Sequence, residues 1–597
     1  MLNKTSFLKA VTGVALSFSA FVSANAQTNL GASCGCPAVG SRTSVNVSSL
    51  PGATVIAGDA DAFQLTSGAT FTCNNTYILD KKIYVPAGQT LNIAPGTLIK
   101  GAAAATQADQ TALVVERGGK IIAAGTESCP IVFTANADPM DGTYSVTNIG
   151  QWGGVVLLGR ATNNLVTANT PQAFGTKVGL APGLGLIEGF NNTGSHNRYG
   201  VQTSGALFAG EVALGTFDDN DNSGVMKYVS IRHTGAILEV GAEINGLTLG
   251  SVGRGTTLEH IEIVSGGDDQ VELFGGTVNM KYISSLFGND DMLDYDHGYI
   301  GNIQFFFGMK NDGTAAGQAS PDNDNGIEAD SDDNSAMSSP VAVPVIYNST
   351  FIGNPKATGT ADNRGLAAIN AKDGAGGKIY NSVFANFKNG LNIEKTLGSR
   401  TLAGGGNAWH NWYAVPSTPT TPTASTGNGT LNLQVKCNHF VGITNPLVFN
   451  GSTLAANGTA LTASTASDAG IANGAEFTQF TTTDLNVIVT GNTLPGFNYN
   501  FTRSGNTFTA KNDPTPNPAL SVAGCPTVPV DGFFEPANYR GAFSSVPGEN
   551  WLSNWSYSQL VGATQGVTAC PTDLNKDGTT NVNDFLIFAP AFGNDCN

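Results

Sequence analysis

Met226-Lys227-Tyr228-Val229-Ser230-Ile231, Leu258-Glu259-His260-Ile261-Glu262-Ile263 and Met280-Lys281-Tyr282-Ile283 are three versions of one short segment. Apolar and polar residues alternate in each, the period of a strand that buries one face. The second and third begin 22 residues apart, about the length of one coil in a chain that winds parallel strands on top of one another. Ile346-Tyr347-Asn348-Ser349-Thr350-Phe351 and Ile379-Tyr380-Asn381-Ser382-Val383-Phe384 continue the series. Upstream, Lys82–Val85, Thr90–Ile93, Leu113–Val115, Lys120–Ile122, Pro130–Phe133 and Val155–Leu158 have the same character. All these runs are too short for helices, and the Gly, Asn and Asp between them set turns. The pattern predicts an all-β chain, a parallel β-solenoid. In such a coil Phe305-Phe306-Phe307 is expected to stack in the core.

A second unit keeps the same spacing: Asp268-Asp269-Gln270-Val271-Glu272, then Asp290-Asp291-Met292-Leu293-Asp294, and more loosely Asp324-Asn325-Gly326-Ile327-Glu328 and Lys388 to Glu394. Matching points of successive coils stack, so Asp268 and Asp269 are expected beside Asp290 and Asp291 on one edge. Three readings stand for Asp268, Asp269, Glu272, Asp290, Asp291, Asp294, Asp296 and His297. Asp populates solenoid turns, where it caps backbone groups. The carboxylates suit calcium, held structurally or as a bridge to a uronic acid, as in pectate-lyase-like β-helices. As catalysts, paired carboxylates could protonate a glycosidic oxygen and activate water, at the roughly 6.5–9.5 Å separation of an inverting enzyme. Asp268, Asp269, Asp290 and Asp291 are the candidates for that role.

The Asp268-Asp269 pair with His297-Gly298 is faintly similar to the β-helical polygalacturonases, but their Asn-x-Asp before the pair and Arg-x-Lys after the His are absent. A lyase needs a basic residue as well, for which Lys281 and Lys310 stand only by default. His233, His260 and His297 have no metal-ligand spacing. Neither a Gly-x-Ser-x-Gly elbow nor a phosphate-binding loop occurs.

Near the C-terminus, Asp573 to Asp584 fits a twelve-residue calcium loop. Asp573, Asn575, Asp577 and Asp584 supply side-chain oxygens, Thr579 a carbonyl, Asn581 a water-mediated position, and Gly578 the sharp turn. The segment resembles half of a type I dockerin. That family binds cohesin through two repeats, so the single repeat here argues against a cohesin partner. Cys570 and Cys596 bracket the loop and are expected to close it as a clasp.

At the other end, Lys4 and Lys9, the apolar stretch Ala10 to Phe21 and Ala24-Asn25-Ala26 form a secretory signal with cleavage before Gln27. No later stretch offers the roughly 18 apolar residues of a membrane span. The chain therefore reads as secreted, extracellular or at the cell surface. Eight cysteines suit that oxidising setting. On proximity alone, Cys437 with Cys525, Cys73 with Cys129, and Cys34 with Cys36 are possible pairs, although Cys34 and Cys36 could bond elsewhere. With 28 basic and 45 acidic residues the net charge is −17, or −19 without Lys4 and Lys9. Such a surface repels nucleic acid and anionic lipid and favours divalent cations.

Several further stretches resemble a family of secreted proteins from marine and Bacteroidetes-type bacteria, for which a right-handed parallel β-helix is expected. They are Val229 to Gly235, Glu243 to Leu249, Val271 to Val278 and Asp290 to Asp296, with Phe533-Phe534-Glu535-Pro536, Tyr539 to Phe543, Trp551 and Trp555 as a closing segment. The resemblance implies fold and implies no activity. The expected layout is a signal peptide at 1–26, an N-terminal cap at 27–76 and the β-helix at 77–415. A Ser/Thr/Pro linker at 416–429, an insertion or further coils at 430–524, the closing segment at 525–560 and the calcium module at 568–597 follow.

Two functions fit. The first is a calcium-binding β-helix with a structural, adhesive or glycan-binding role, its partner a polysaccharide or further copies of itself in a fibre. The alternative is a polysaccharide lyase or hydrolase at the Asp268/Asp290 edge. Trp409 and Trp412 would suit sugar stacking in either case.

Overall fold

The computed structural model describes residues 27–103, 110–165, 182–187, 195–211, 213–239, 242–310, 325–331, 339–353, 357–358, 361–362, 367–394, 432–443, 445–450, 479–491, 494–546 and 549–564. The signal segment 1–26, the linker 416–429, Trp409, Trp412, the calcium loop Asp573–Asp584 and the cysteines 570 and 596 lie outside them.

Among the described residues the chain is a parallel β-helix built on two long sheets of 18 and 12 strands. The repeated segments pair as their spacing predicts. Thr257–Val264 lies parallel on Asn279–Leu286, with Leu258 opposite Met280 and Ile261 opposite Ile283. Gly224–Arg232 precedes them and Asn302–Met309 follows in the same sheet. Each of these strands bends once, at Tyr228, His260, Tyr282 and Phe305, which all have positive φ. Side chains at this bend point outward and superpose from coil to coil, so the rings stack at 4.4, 4.4 and 5.0 Å between centroids. Later coils place Asn348 and Asn381 at positive φ instead, residues that tolerate that geometry.

Inside the coils the buried residues of both sheets form one continuous core. Phe306, Phe351, Phe384, Phe440 and Phe480 make a column through it, with centroids 5.0–5.4 Å apart. Of the Phe305–Phe307 run, only Phe306 belongs to this column. Alternation turns its neighbours outward: Phe305 joins the ring stack at the bend, and Phe307 meets Phe543. The coils continue past residue 430 through Leu433–Lys436, His439–Val441, Asn445–Asn450 and Val487–Val489.

At the N-terminal end, Ala53–Ile56 runs antiparallel to Asp59–Leu65, which covers an edge that would otherwise offer unpaired backbone groups. Two disulfides join this end to the coils, Cys34–Cys129 and Cys36–Cys73. They replace the proximity pairs Cys34/Cys36 and Cys73/Cys129. With one residue between them, Cys34 and Cys36 reach two different coils that wind back to the same corner. Cys437–Cys525 forms as the sequence suggested.

The closing segment lies outside the larger sheet and runs back along its strands. Gly541 N donates to Asn381 O (2.8 Å) and Ala542 N to Thr350 Oγ1 (2.8 Å). Trp551 packs on Tyr282, and Trp555 on Tyr228. The segment ends with the short helix Tyr557–Leu560, whose first amides, Tyr557 N and Ser558 N, donate to the buried Glu262 carboxylate at 2.6 and 3.0 Å. No helix among the described residues is long and apolar enough to cross a membrane.

Candidate functional site

The acidic edge belongs to the smaller sheet. Its strands Val271–Phe274, Leu293–Asp296, Ile327–Ala329 and Ala367–Ala371 are parallel neighbours, with Glu272 opposite Asp294, Asp294 opposite Glu328, and Glu328 opposite Asn370. Leu273, Tyr295 and Ala329 alternate with them and face the core, so the polar residues form a column on the outer face. Three carboxylates on adjacent strands stand in register, an arrangement that destabilises a sheet unless a cation or proton intervenes.

Hydrogen-bond donors reach the two ends of this column. Asn245 Nδ2 bonds Glu272 Oε2, while Asn370 Nδ2 donates to Glu328 Oε1 (3.1 Å) and Asn370 Oδ1 accepts from Asn392 Nδ2 (2.6 Å). At the centre, Asp294 Oδ1 is buried and meets no hydrogen-bond donor among the described residues. One carboxylate oxygen each from Asp269, Glu272 and Asp294 falls within 4.8 Å of the others, and a second group within that distance is Asp268, Asp269 and Asp290. Burial, followed by repulsion from Glu328, holds Asp294 well above the usual carboxylate range. Asp269 and Asp291 are raised in the same way, by burial and then by Asp291 and Glu328 respectively.

The four acids singled out as catalytic candidates separate into two kinds. Asp269 Oδ1 accepts Asp291 N (2.8 Å), Asp291 Oδ1 accepts Asn325 N (2.5 Å), and Asn325 Oδ1 accepts Ala367 N (3.1 Å). These residues form a ladder in which each coil caps the next, the turn chemistry of Asp and Asn. Gly235 lets the turn close: a Cβ there would stand 2.2 Å from Gly267 N. Asp268 and Asp290 are half-buried beside the ladder.

Beyond the column, Asp296 Oδ2 lies 3.1 Å from His297 Nε2, and Tyr199 Oη lies 2.7 Å from His297 Nδ1. Tyr199 comes from the hairpin Leu184–Leu186/Arg198–Gly200, which covers the apolar half of the same outer face at Val156, Leu158 and Phe274. Nothing in the sequence signalled Tyr199, because 98 residues separate it from His297.

The two default bases are elsewhere engaged. Lys281 is on the larger sheet, 2.9 Å from Glu535, and Lys310 Nζ bonds the carbonyl of Asp290. The cation that faces the acidic column is Lys372, 3.0 Å from Glu328 and 3.7 Å from Asp330. Burial pulls its pKa down, but Glu328, Asp330 and Asp294 more than offset this and keep it above the ordinary lysine value. Its register could have disclosed it, since Ala371 pairs with Ala329 and Asp330 and Lys372 each follow by one residue. An insertion makes that coil 42 residues long and obscures the repeat.

The set is chemically consistent with a hard divalent ion. Its donors are all carboxylate or amide oxygens, the type that calcium takes, and the central oxygen lacks a donor among the described residues. Contact at 4.8 Å or less is also tighter than the roughly 6.5–9.5 Å that leaves room for water in inverting glycosidases.

A family model described as a pectate-lyase like beta helix domain matches residues 64–180 and 188–482. No curated protein matches the sequence. Among solved structures, the full-length tailspike protein 2 from Escherichia coli O157:H7 bacteriophage CAB120 aligns over 65% of this chain and 37% of its own length. Identity is 11% and the TM-score 0.17.

Proposed function

Starting from the chain's membership of the pectate-lyase-like β-helix domain family, we propose that it is a secreted protein that binds acidic polysaccharide through calcium held by Asp269, Glu272 and Asp294 at the acidic column. The in-register carboxylates around the donor-free Asp294 Oδ1 carry this reading. A chain of net charge −17 repels a polyuronate. A cation shared between protein and sugar carboxylates reverses the sign of that contact. The C-terminal loop Asp573–Asp584 would bind calcium separately.

Binding is favoured over elimination by the state of Lys372. A lyase base must be free to take a proton at the sugar, whereas Glu328 and Asp330 hold this ammonium charged. The test is co-sedimentation with a polyuronate, with and without a chelator, for the wild type and for Asp294→Asn. Retention that requires calcium and disappears in the variant is the expected result. Retention in chelator, or undiminished in D294N, would overturn the proposal, and accumulation of unsaturated uronate ends would replace it with a lyase.

A further inference from the structure

Gln27 follows the Ala24-Asn25-Ala26 cleavage pattern directly, and it is buried, with 7% of its surface exposed. The two halves of its side-chain amide meet different environments. Oε1 accepts a hydrogen bond from Arg232 Nη1 at 3.0 Å. Nε2 is buried and has no partner among the described residues, an unfavourable state for a buried donor.

Arg232 is itself firmly placed. Its Nε donates to Ser230 Oγ (2.7 Å), its guanidinium carbon lies 4.6 Å from the centre of the Tyr557 ring, and Nη2 is 3.9 Å from Glu262. The described residues thus recognise the carbonyl of Gln27 and provide no partner for the amide nitrogen.

We propose that Gln27, once it becomes the N-terminal residue, is converted to pyroglutamate, and that Arg232 holds the lactam carbonyl. The α-amine attacks Cδ, a bond forms between the α-nitrogen and Cδ, and the Cδ–Nε2 bond breaks. Nε2 leaves as ammonia with a proton from the α-amine, and nothing is oxidised or reduced. The departing atom is the unpartnered donor, while the oxygen that Arg232 bonds remains as the lactam carbonyl. Because Arg232 also touches Tyr557 and Glu262, the lactam sits where the N-terminal cap meets the closing segment.

The inference rests on the export reading, and one experiment separates the two. The full chain is produced with its own leader in an exporting host, and its N-terminal peptide is examined by mass spectrometry. A synthetic peptide beginning with Gln goes through the same workup as a control. The expected peptide begins at residue 27 and is lighter than the Gln form by one ammonia, while the control stays uncyclised. A peptide starting elsewhere overturns the export reading. A peptide starting at residue 27 with its amide intact, in aged folded protein, overturns the lactam and leaves export standing.

The role of Arg232 has its own readout. Pyroglutamyl aminopeptidase should release the lactam several-fold more slowly from folded wild type than from unfolded chain, and Arg232→Gln should remove much of that protection. Equal release from folded and unfolded wild type would overturn the Arg232 contact, even if R232Q fails to fold.

Discussion

Two buried carboxylate sites, one on each long sheet, are built in opposite ways. On the larger sheet, Glu262 is fully buried and its oxygens receive Ser230 Oγ (2.7 Å), Tyr557 N (2.6 Å), Ser558 N (3.0 Å) and Ser558 Oγ (3.0 Å), with Arg232 at 3.9 Å. On the smaller sheet, Asp294 lies in register between Glu272 and Glu328, and its Oδ1 has no donor among the described residues. Glu262 resembles a keystone: every direction around it is used by the fold. The column around Asp294 is met by Lys372 on its Glu328 side, and it is the place where calcium is proposed to bind. Burial alone therefore does not distinguish a structural carboxylate from a binding one; the donors around it do.

The comparison breaks most readily at Glu262. Glu262→Ala strands two amides and the Arg232 guanidinium, so unfolding in denaturant is expected to show a loss of about 3–5 kcal/mol. Asp294→Asn in chelator should show little loss or a gain, because it relieves repulsion. If both variants lost stability equally, the distinction would fail.

Calcium sharpens the same contrast. At a concentration about a hundredfold above Kd, calcium should stabilise the wild type by about 2.7 kcal/mol. The D294N variant should lose the part of this effect that is due to the column, while a variant in the terminal loop, Asp577→Ala, keeps that part. Thermal melts in calcium and in chelator give the measurement.

The pH response separates the sites next. The folded pKa values of Asp269, Asp291 and Asp294 are raised, chiefly by burial. In chelator the column therefore destabilises the fold increasingly as pH rises above the ordinary Asp value, and bound calcium should flatten that slope. His260, in the ring stack under the closing segment, behaves oppositely. Burial lowers its pKa to about 4, so its contribution is present above about 6.5 and is lost as pH falls from there towards about 4. Melting curves of wild type and His260→Phe across that interval should diverge on the acid side.

The smallest effect is expected from the half-exposed pair Lys227–Glu259, at 2.9 Å beside the same ring stack. Removing it should change stability by about 0–1 kcal/mol, a control for surface charge as such.

Much of this molecule was legible in the order of its residues. Where coils are 22 residues long, as from Glu272 to Asp294, identical chemistry recurs at identical intervals and the stacking can be read directly. Where insertions lengthen a coil, as between Asp294 and Glu328 or Glu328 and Asn370, the interval no longer marks the neighbour. Lys372 and Asp330 escaped notice for that reason. Asp269 and Asp291 were visible as a repeated pair, but their amide-capping role depends on which way each carboxylate turns.

By itself the sequence determined the strands, their alternation and the parallel stacking, because a period of two and a repeat near 22 residues are local properties of the chain. Tertiary structure alone decided which distant residues share a pocket. Cys34 finds Cys129, His297 finds Tyr199, and Glu262 finds Ser558 across 296 residues. The physical reason is the winding itself: each turn returns the chain to the same corner after a variable number of residues, so proximity follows the coil and not the count along the chain.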